Sequence, residues 1–359
     1  MEKKQVFSKP FNLVYEKDYP NLFIGPGIFS NYDLAKGYSP NDWINKKTTD
    51  IEKYRSKQIF SFKSVHKEDT RNPNKELQEL QLLAQSTKTT ELEIDLEKTP
   101  KMIKEKISGI NNFSYELENI KIIDNIKIPK IIDKVVTDTD LKAREGIINL
   151  NKKLQDVYKI EQILSAGLLG QKNKRILVPT RWAITSVDDI VSKDIVNNIK
   201  SNPLIDKYLV FCYEFYNNKF YILFIPRNWG FEQIEEQNNS FCIDYEINEP
   251  RKIYADSVTG AYYASRLEVG KYLDKIKKQA TVIVFREIEQ SYFSKGVWVI
   301  REAVRLALEN EPFIFEDLES SLNFIDSLGI RNGINYWKEK SFILKEIKCQ
   351  KRLCDFFKT

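Results

Sequence analysis

The stretch Tyr208-Leu209-Val210-Phe211-Cys212-Tyr213-Glu214-Phe215-Tyr216-Asn217-Asn218-Lys219-Phe220-Tyr221-Ile222-Leu223-Phe224-Ile225 decides the fold class. Two runs rich in β-branched and aromatic residues flank a polar Asn-Asn step. Asn tolerates the positive φ that a two-residue hairpin turn requires, so the stretch predicts a β-hairpin. Toward the C-terminus, Arg266 to Lys278 has the amphipathic spacing of a helix. Ala280 to Phe285 reads as a buried strand, and Trp298 to Leu308 as a second amphipathic helix. Toward the N-terminus, Arg175 to Val178 reads as a buried strand. Before it, Thr139-Asp140 opens a helix whose stripe runs through Ile147, Leu150, Leu154, Val157 and Ile160 toward Gly167 or Gly170, with Asp140 as N-cap. Helices thus interleave with strands from about residue 140. The expectation is a mixed α/β fold, with α+β as its variant: a central sheet, flanking helices and a flexible basic C-terminal tail.

Farther upstream, Leu22 to Phe29 is a short apolar run broken by Gly25-Pro26-Gly27, a strand and a tight loop. Arg71 to Lys75 reads as a turn. Leu77, Leu80 and Leu83 place a helix over Glu76 to Ser86, and alternation places a half-buried strand over Glu91 to Leu96. Ile120 to Val136 reads as strands around Pro129. The chain is therefore divided into an aromatic, Gly- and Pro-rich segment (1–70), a main mixed α/β region (71–346) and a tail (347–359).

The 359 residues are 42% hydrophobic and 30% charged, the balance of a water-soluble globular protein. No apolar run is long enough to span a bilayer, and no signal peptide is visible, which predicts a cytoplasmic protein without a membrane partner. Four cysteines (Cys212, Cys242, Cys349, Cys354) form no Cys-x-x-Cys pair, and the chain has a single histidine, His66, in a polar stretch. Zinc, and triads that need Ser-His or Cys-His, are therefore not expected. From Arg331 to Thr359 there are eight Lys or Arg against three Asp or Glu, which matches the +5 of the whole chain. Such a tail suits an acidic partner or is a solvated helix face.

The tail carries Gln350, Leu353, Phe356 and Phe357 in the pattern Gln-x-x-Leu-x-x-Phe-Phe. It looks like the peptide with which replication and repair enzymes grip sliding clamps. A short 3₁₀ turn gathers Leu353 and the two Phe into one plug, worth about 1.5–3 kcal/mol per buried side chain. The same spacing also fits the apolar stripe of a last helix packed on the core.

The block Leu177-Val178-Pro179-Thr180-Arg181-Trp182-Ala183-Ile184-Thr185-Ser186-Val187-Asp188-Asp189 resembles the Leu-Val-Pro-Thr-Arg-Trp-Ser-Ile-Thr-Ala-Val-Asp-Asp motif of the archaeal Nre family. Ala183 and Ser186 depart from it. The resemblance extends to Glu79-Leu80-Gln81-Leu82-Leu83-Ala84-Gln85-Ser86, Leu164-Ser165-Ala166-Gly167-Leu168-Leu169-Gly170, Ala261-Tyr262-Tyr263-Ala264-Ser265-Arg266-Leu267 and Gly296-Val297-Trp298-Val299-Ile300-Arg301-Glu302-Ala303-Val304-Arg305. It covers most of residues 75–310 and returns at the tail. Nre proteins are described as archaeal DNA repair proteins that bind the clamp PCNA through a C-terminal motif. The resemblance implies a DNA-damage repair factor recruited to PCNA through Gln350, Leu353, Phe356 and Phe357, with DNA as a second partner. It implies no particular reaction. Some members carry an N-terminal Cys cluster, which this chain lacks before Cys212.

Several residues carry alternatives. Asp188 and Asp189, with Glu287 or Glu302, are candidate catalytic carboxylates for Mg²⁺-dependent nuclease chemistry; either Asp is equally an N-cap. Arg181 fits a phosphate or a buried acid, and Trp182 fits a base or the core. Tyr262, Tyr263 and Arg266 suit a phosphate at a helix start. Arg301 and Arg305 form a basic stripe toward DNA, or pair within their helix. No Walker-type phosphate loop is present. Three readings stay open: a clamp-linked repair factor that contacts DNA without catalysis, a metal-dependent repair nuclease, and a nucleotide-binding α/β protein whose terminal stripe is core.

Overall fold

The computed structural model describes residues 4–8, 12–36, 40–44, 46–97, 101–103, 112–289 and 296–349. The tail motif from Gln350 onward lies outside them. The chain divides into two compact units, Met1–Val191 and Ser192–Thr359.

The first unit opens with strands β1 (Lys4–Ser8), β2 (Asn12–Asp18) and β3 (Asn21–Ile28) and short helices α1 (Tyr32–Lys36), α2 (Pro40–Trp43) and α3 (Thr48–Arg55). Next come β4 (Ile59–His66), α4 (Lys75–Gln85), β5 (Thr90–Leu96), β6 (Lys101–Ile103) and β7 (Asn112–Ile122). Helices α5 (Lys130–Thr137), α6 (Ala143–Leu154), α7 (Val157–Ser165) and α8 (Thr180–Ile199) follow, the last crossing into the second unit. The sheet runs β1-β5-β7-β4-β3-β2, with β6 added to β7. Its β4–β7 pair is parallel and its other described pairs are antiparallel. Two backbone bonds of 2.8 Å between Phe7 and Phe29 tie β1 back to the chain just past β3. Strands β1, β5, β7, β4 and β3 thereby close a ring. Its core takes Leu22 and Ile24 from β3, Leu92 and Ile94 from β5, and Leu77, Leu80 and Leu83 from α4. The Asn74 side chain caps α4 by accepting from the Leu77 N–H at 2.9 Å. The Gly-Pro-Gly step expected to end the first strand lies inside it. A Cβ on Gly25 would stand 1.8 Å from the Ser61 carbonyl oxygen, so β3 and β4 approach more closely there than any side chain permits.

Three expectations need correction. Lys130–Thr137 is helical rather than extended, and its buried Ile132 and Val135 are three residues apart. The helix read from Thr139-Asp140 toward Gly167 or Gly170 begins instead at Ala143, with Lys142 rather than Asp140 at its N-cap, and is broken at Gln155 (φ 52), after which Asp156 caps α7. Arg175 to Val178 joins no strand: the Leu177 N–H donates to Lys67 O and the Val178 N–H to Ser165 O, two separate segments.

The second unit contains the hairpin of β8 (Tyr208–Phe215) and β9 (Asn218–Ile225). Tyr216 and Asn217 take φ of 53° and 57° at its turn, the left-handed pair that such a turn requires. Then come β10 (Gly230–Gln237), β11 (Ser240–Ile247), α9 (Gly260–Ile276), β12 (Thr281–Ile288), α10 (Trp298–Glu309), β13 (Phe313–Phe315), α11 (Leu318–Ser327), α12 (Ile334–Lys340) and α13 (Phe342–Cys349). The sheet order is β11-β10-β12-β9-β8-β13, with β10 and β12 parallel. Alternate residues of β9 and β12 feed two cores. Phe220, Ile222, Val282 and Val284 meet α9, α10 and the end of α8. Tyr221, Leu223, Ile283 and Phe285 meet α11, α12 and α13. The molecule is a mixed α/β protein with helices on both faces of this sheet.

Candidate functional site

The polar residues of the 177–189 block fasten the start of α8 to the barrel. Pro179 lends its carbonyl to the N–H groups of Trp182 and Ala183. Thr180 Oγ1 accepts from the Val14 N–H of β2 at 2.9 Å and lies 3.2 Å from Ser165 Oγ, which donates to Val178 O at 2.7 Å. Below it, Thr70 Oγ1 donates to Gly167 O at 2.9 Å and accepts from Gln81 Nε2 at 2.7 Å. Gln81 also donates to Ala166 O at 3.0 Å. The blocks at 79–86, 164–170 and 177–189 are thus one assembly.

Arg181 and Trp182 project outward from it. The Trp182 ring is 40% exposed and leans on Tyr19, itself 46% exposed, at a centroid distance of 5.2 Å. Lys67 Nζ sits 4.9 Å from the Tyr19 ring, and Arg181 Cζ 5.9 Å from that of Trp182. Arg181 also pairs with Glu16 at 2.6 Å. With Arg181 more than half exposed and Glu16 about a quarter exposed, that pair contributes little to stability.

The carboxylates are placed otherwise. Helix α8 begins eight residues before Asp188, so neither Asp188 nor Asp189 is its N-cap. Asp188 is fully buried and Asp189 partly so. Glu287 belongs to β12 in the second unit. Burial pushes its carboxyl up, the Arg331 N–H opposes this, and neighbouring Glu236 adds to it. Glu302 is buried on α10 and accepts from Arg305 Nε at 2.8 Å. Among the described residues no group of three or more His, Cys, Asp or Glu is arranged to hold a metal ion.

Tyr262, Tyr263, Arg266 and Arg301 lie in the interior of the second unit. Arg266 donates to Glu246 at 2.7 Å and to Ser192 at 3.1 Å, with the rings of Tyr262 and Tyr263 5.6 and 5.3 Å from its Cζ. Glu246 also accepts from Trp229 Nε1 and from the Arg251 N–H. Asp244 binds Arg251 and the N–H groups of Ser257 and Val258. This network locks α9 to β11. Arg305 bridges Glu302 and Glu309 within its own helix. Of the candidate nucleic-acid contacts, Arg181 and Trp182 are exposed and Arg305 is about one-third exposed. Tyr19 and Lys67 had no marker in the sequence; only the fold brings them to Trp182.

The family comparison decides the kinship. The description "Archaeal Nre, N-terminal" matches residues 2–241, and "Archaeal Nre, C-terminal" matches residues 246–356. This chain belongs to the archaeal Nre family. Its curated relatives include DNA repair protein NreA of Archaeoglobus fulgidus, 34% identical over 88% of this chain and 82% of that protein. DNA repair protein NreB of the same organism is 32% identical over 97% and 90%. NreA of Haloferax volcanii is 36% identical over 53% and 48%. No solved structure matches the Nre chain, and no helix among its described residues is long and apolar enough to cross a membrane.

Proposed function

We propose that this Nre protein is a DNA repair factor that docks on the sliding clamp PCNA through Gln350, Leu353, Phe356 and Phe357 and contacts DNA directly. The tail pattern Gln-x-x-Leu-x-x-Phe-Phe carries the reading. It follows directly on α13, which ends at Cys349. Leu353, Phe356 and Phe357 supply the apolar plug, and Gln350 a polar head that both donates and accepts. Lys348, Lys351, Arg352 and Lys358 speed encounter with an acidic clamp surface. Membership in a family whose curated relatives are DNA repair proteins supports the DNA half, as do the exposed Arg181 and Trp182. Calorimetric titration of the peptide Lys348–Thr359 into archaeal PCNA tests it. Micromolar or tighter binding, abolished by Phe356→Ala/Phe357→Ala, is expected. Absence of binding by both the peptide and the intact chain overturns the clamp assignment.

A further inference from the structure

We infer that the barrel of the first unit is an OB-type fold whose β2–β3 hairpin, strand β4 and the start of α8 form a binding site for single-stranded DNA. The inference rests on the DNA-contact reading above and gives that contact a place.

An OB barrel closes five strands in the order one-two-three-five-four-one. Its one parallel pair joins strands three and five, and a helix between strands three and four plugs it. Each feature has its counterpart here. β1 pairs with β5 and β2 with β3, as the two halves of a first OB strand do. β3 and β4 then stand for strands two and three, β5 for four and β7 for five. β4 and β7 are the parallel pair among the described strands of this sheet. α4 lies between β4 and β5 in the chain, and its three leucines fill the barrel. Gly25 sits at a close crossing of β3 and β4, where a coiled barrel strand needs a residue without Cβ.

Fold alone assigns no ligand; the side chains do. OB barrels bind oligonucleotides across strands two and three and over the loop joining strands one and two. Here those are β3, β4 and the Tyr19-Pro20 turn. Alternation turns Leu22 and Ile24 inward and Phe23 outward, with Tyr15 as its cross-strand partner. The rings of Tyr15 and Phe23 are 5.3 Å apart, buried Phe62 of β4 backs Phe23 from beneath at 4.8 Å, and Lys17 Nζ lies 5.3 Å from Phe23. At the turn stand exposed Tyr19 and Trp182 with Lys67 and Arg181 beside them. Aromatic faces edged by cations are what a single strand needs: bases stack on the rings while phosphates meet the cations. A duplex keeps its base faces hidden and cannot use the rings. Arg181 is bound to Glu16 at the surface, where a phosphate can compete for it.

The test is fluorescence anisotropy of the full chain with a labelled oligo-dT of about twenty nucleotides, with duplex DNA and oligo-U as parallel probes. The single DNA strand is expected to bind at least about tenfold more tightly than the duplex, with affinity falling steeply as salt rises. Tyr19→Ala/Trp182→Ala should weaken it at least about tenfold. Lys67→Glu, which reverses the charge beside the Tyr19 ring, should weaken it as well, while Tyr254→Ala, an exposed aromatic of the second unit, should not. Unchanged affinity in both the double variant and Lys67→Glu overturns this site but leaves DNA contact elsewhere standing. Tighter binding of oligo-U overturns the assignment to DNA. No binding of any DNA overturns the DNA-contact reading too, while clamp docking by the tail, measured separately, stands or falls by itself.

Discussion

Arg266 shows what a sequence hides at the scale of one residue. It stood out beside Tyr262 and Tyr263 as a phosphate ligand at a helix start, yet its guanidinium is fully buried against Glu246. Its partner lies twenty residues upstream, on β11, and no spacing rule links the two. Removing the acid alone takes a carboxylate away from a fully buried charge. Glu246→Ala should therefore cost about 3–5 kcal/mol in urea unfolding, and a change within about 0.5 kcal/mol, as at a surface site, would refute the pairing. Glu232 offers a pH test. Burial pushes its carboxyl up to about 7, against hydrogen bonds from Ser341, Phe342 and Ile343 at the start of α13. A raised carboxyl holds its proton more tightly folded than unfolded. Its contribution to stability is full below its ordinary value of 4.5 and is lost as pH rises through about 7. Glu232→Gln keeps a neutral side chain of the same shape. The stability of wild type minus that of the variant should thus fall across this window and be flat on either side, as urea midpoints at a series of pH values will show.

At the scale of elements, legibility followed the strength of local signals. The β8–β9 hairpin is legible from its two flanking strands, although its turn falls on Tyr216-Asn217, one residue before the Asn217-Asn218 step the sequence points to. Helix α4 is legible from the spacing of its three leucines, while the Asn74 cap falls in the stretch that reads as a turn. The stretch from Thr139-Asp140 toward Gly167 or Gly170 reads as one helix because the apolar stripe continues in phase from Leu150 through Val157 to Ile160, past the break at Gln155. The cap that restarts the helix is Asp156, which accepts from the Lys159 N–H at 3.1 Å. Asp156→Ala should lower stability by about 1 kcal/mol, measured by urea unfolding, and an unchanged midpoint would contradict the cap. The start of α8 was missed because Leu177-Val178 looks like a strand; its backbone bonds go instead to Lys67 and Ser165, residues no local window includes.

For the whole molecule, the mixed α/β class was legible from alternating periodicities, but strand order was not. The parallel pairs β4–β7 and β10–β12 join segments more than forty residues apart, and the barrel closes through Phe7 and Phe29 only when the chain has folded. The surface cluster of Tyr19, Lys67, Arg181 and Trp182 exists for the same reason: its members come from three distant segments. The tail is the opposite case, a motif whose meaning lies wholly in local spacing and whose partner is another molecule. The most direct test of the account is therefore co-elution of the intact chain with archaeal PCNA in size-exclusion chromatography, beside Phe356→Ala/Phe357→Ala. The account predicts that wild type travels with the clamp and the variant, equally folded, elutes alone. Equal behaviour of the two, bound or unbound, would contradict recruitment through the tail.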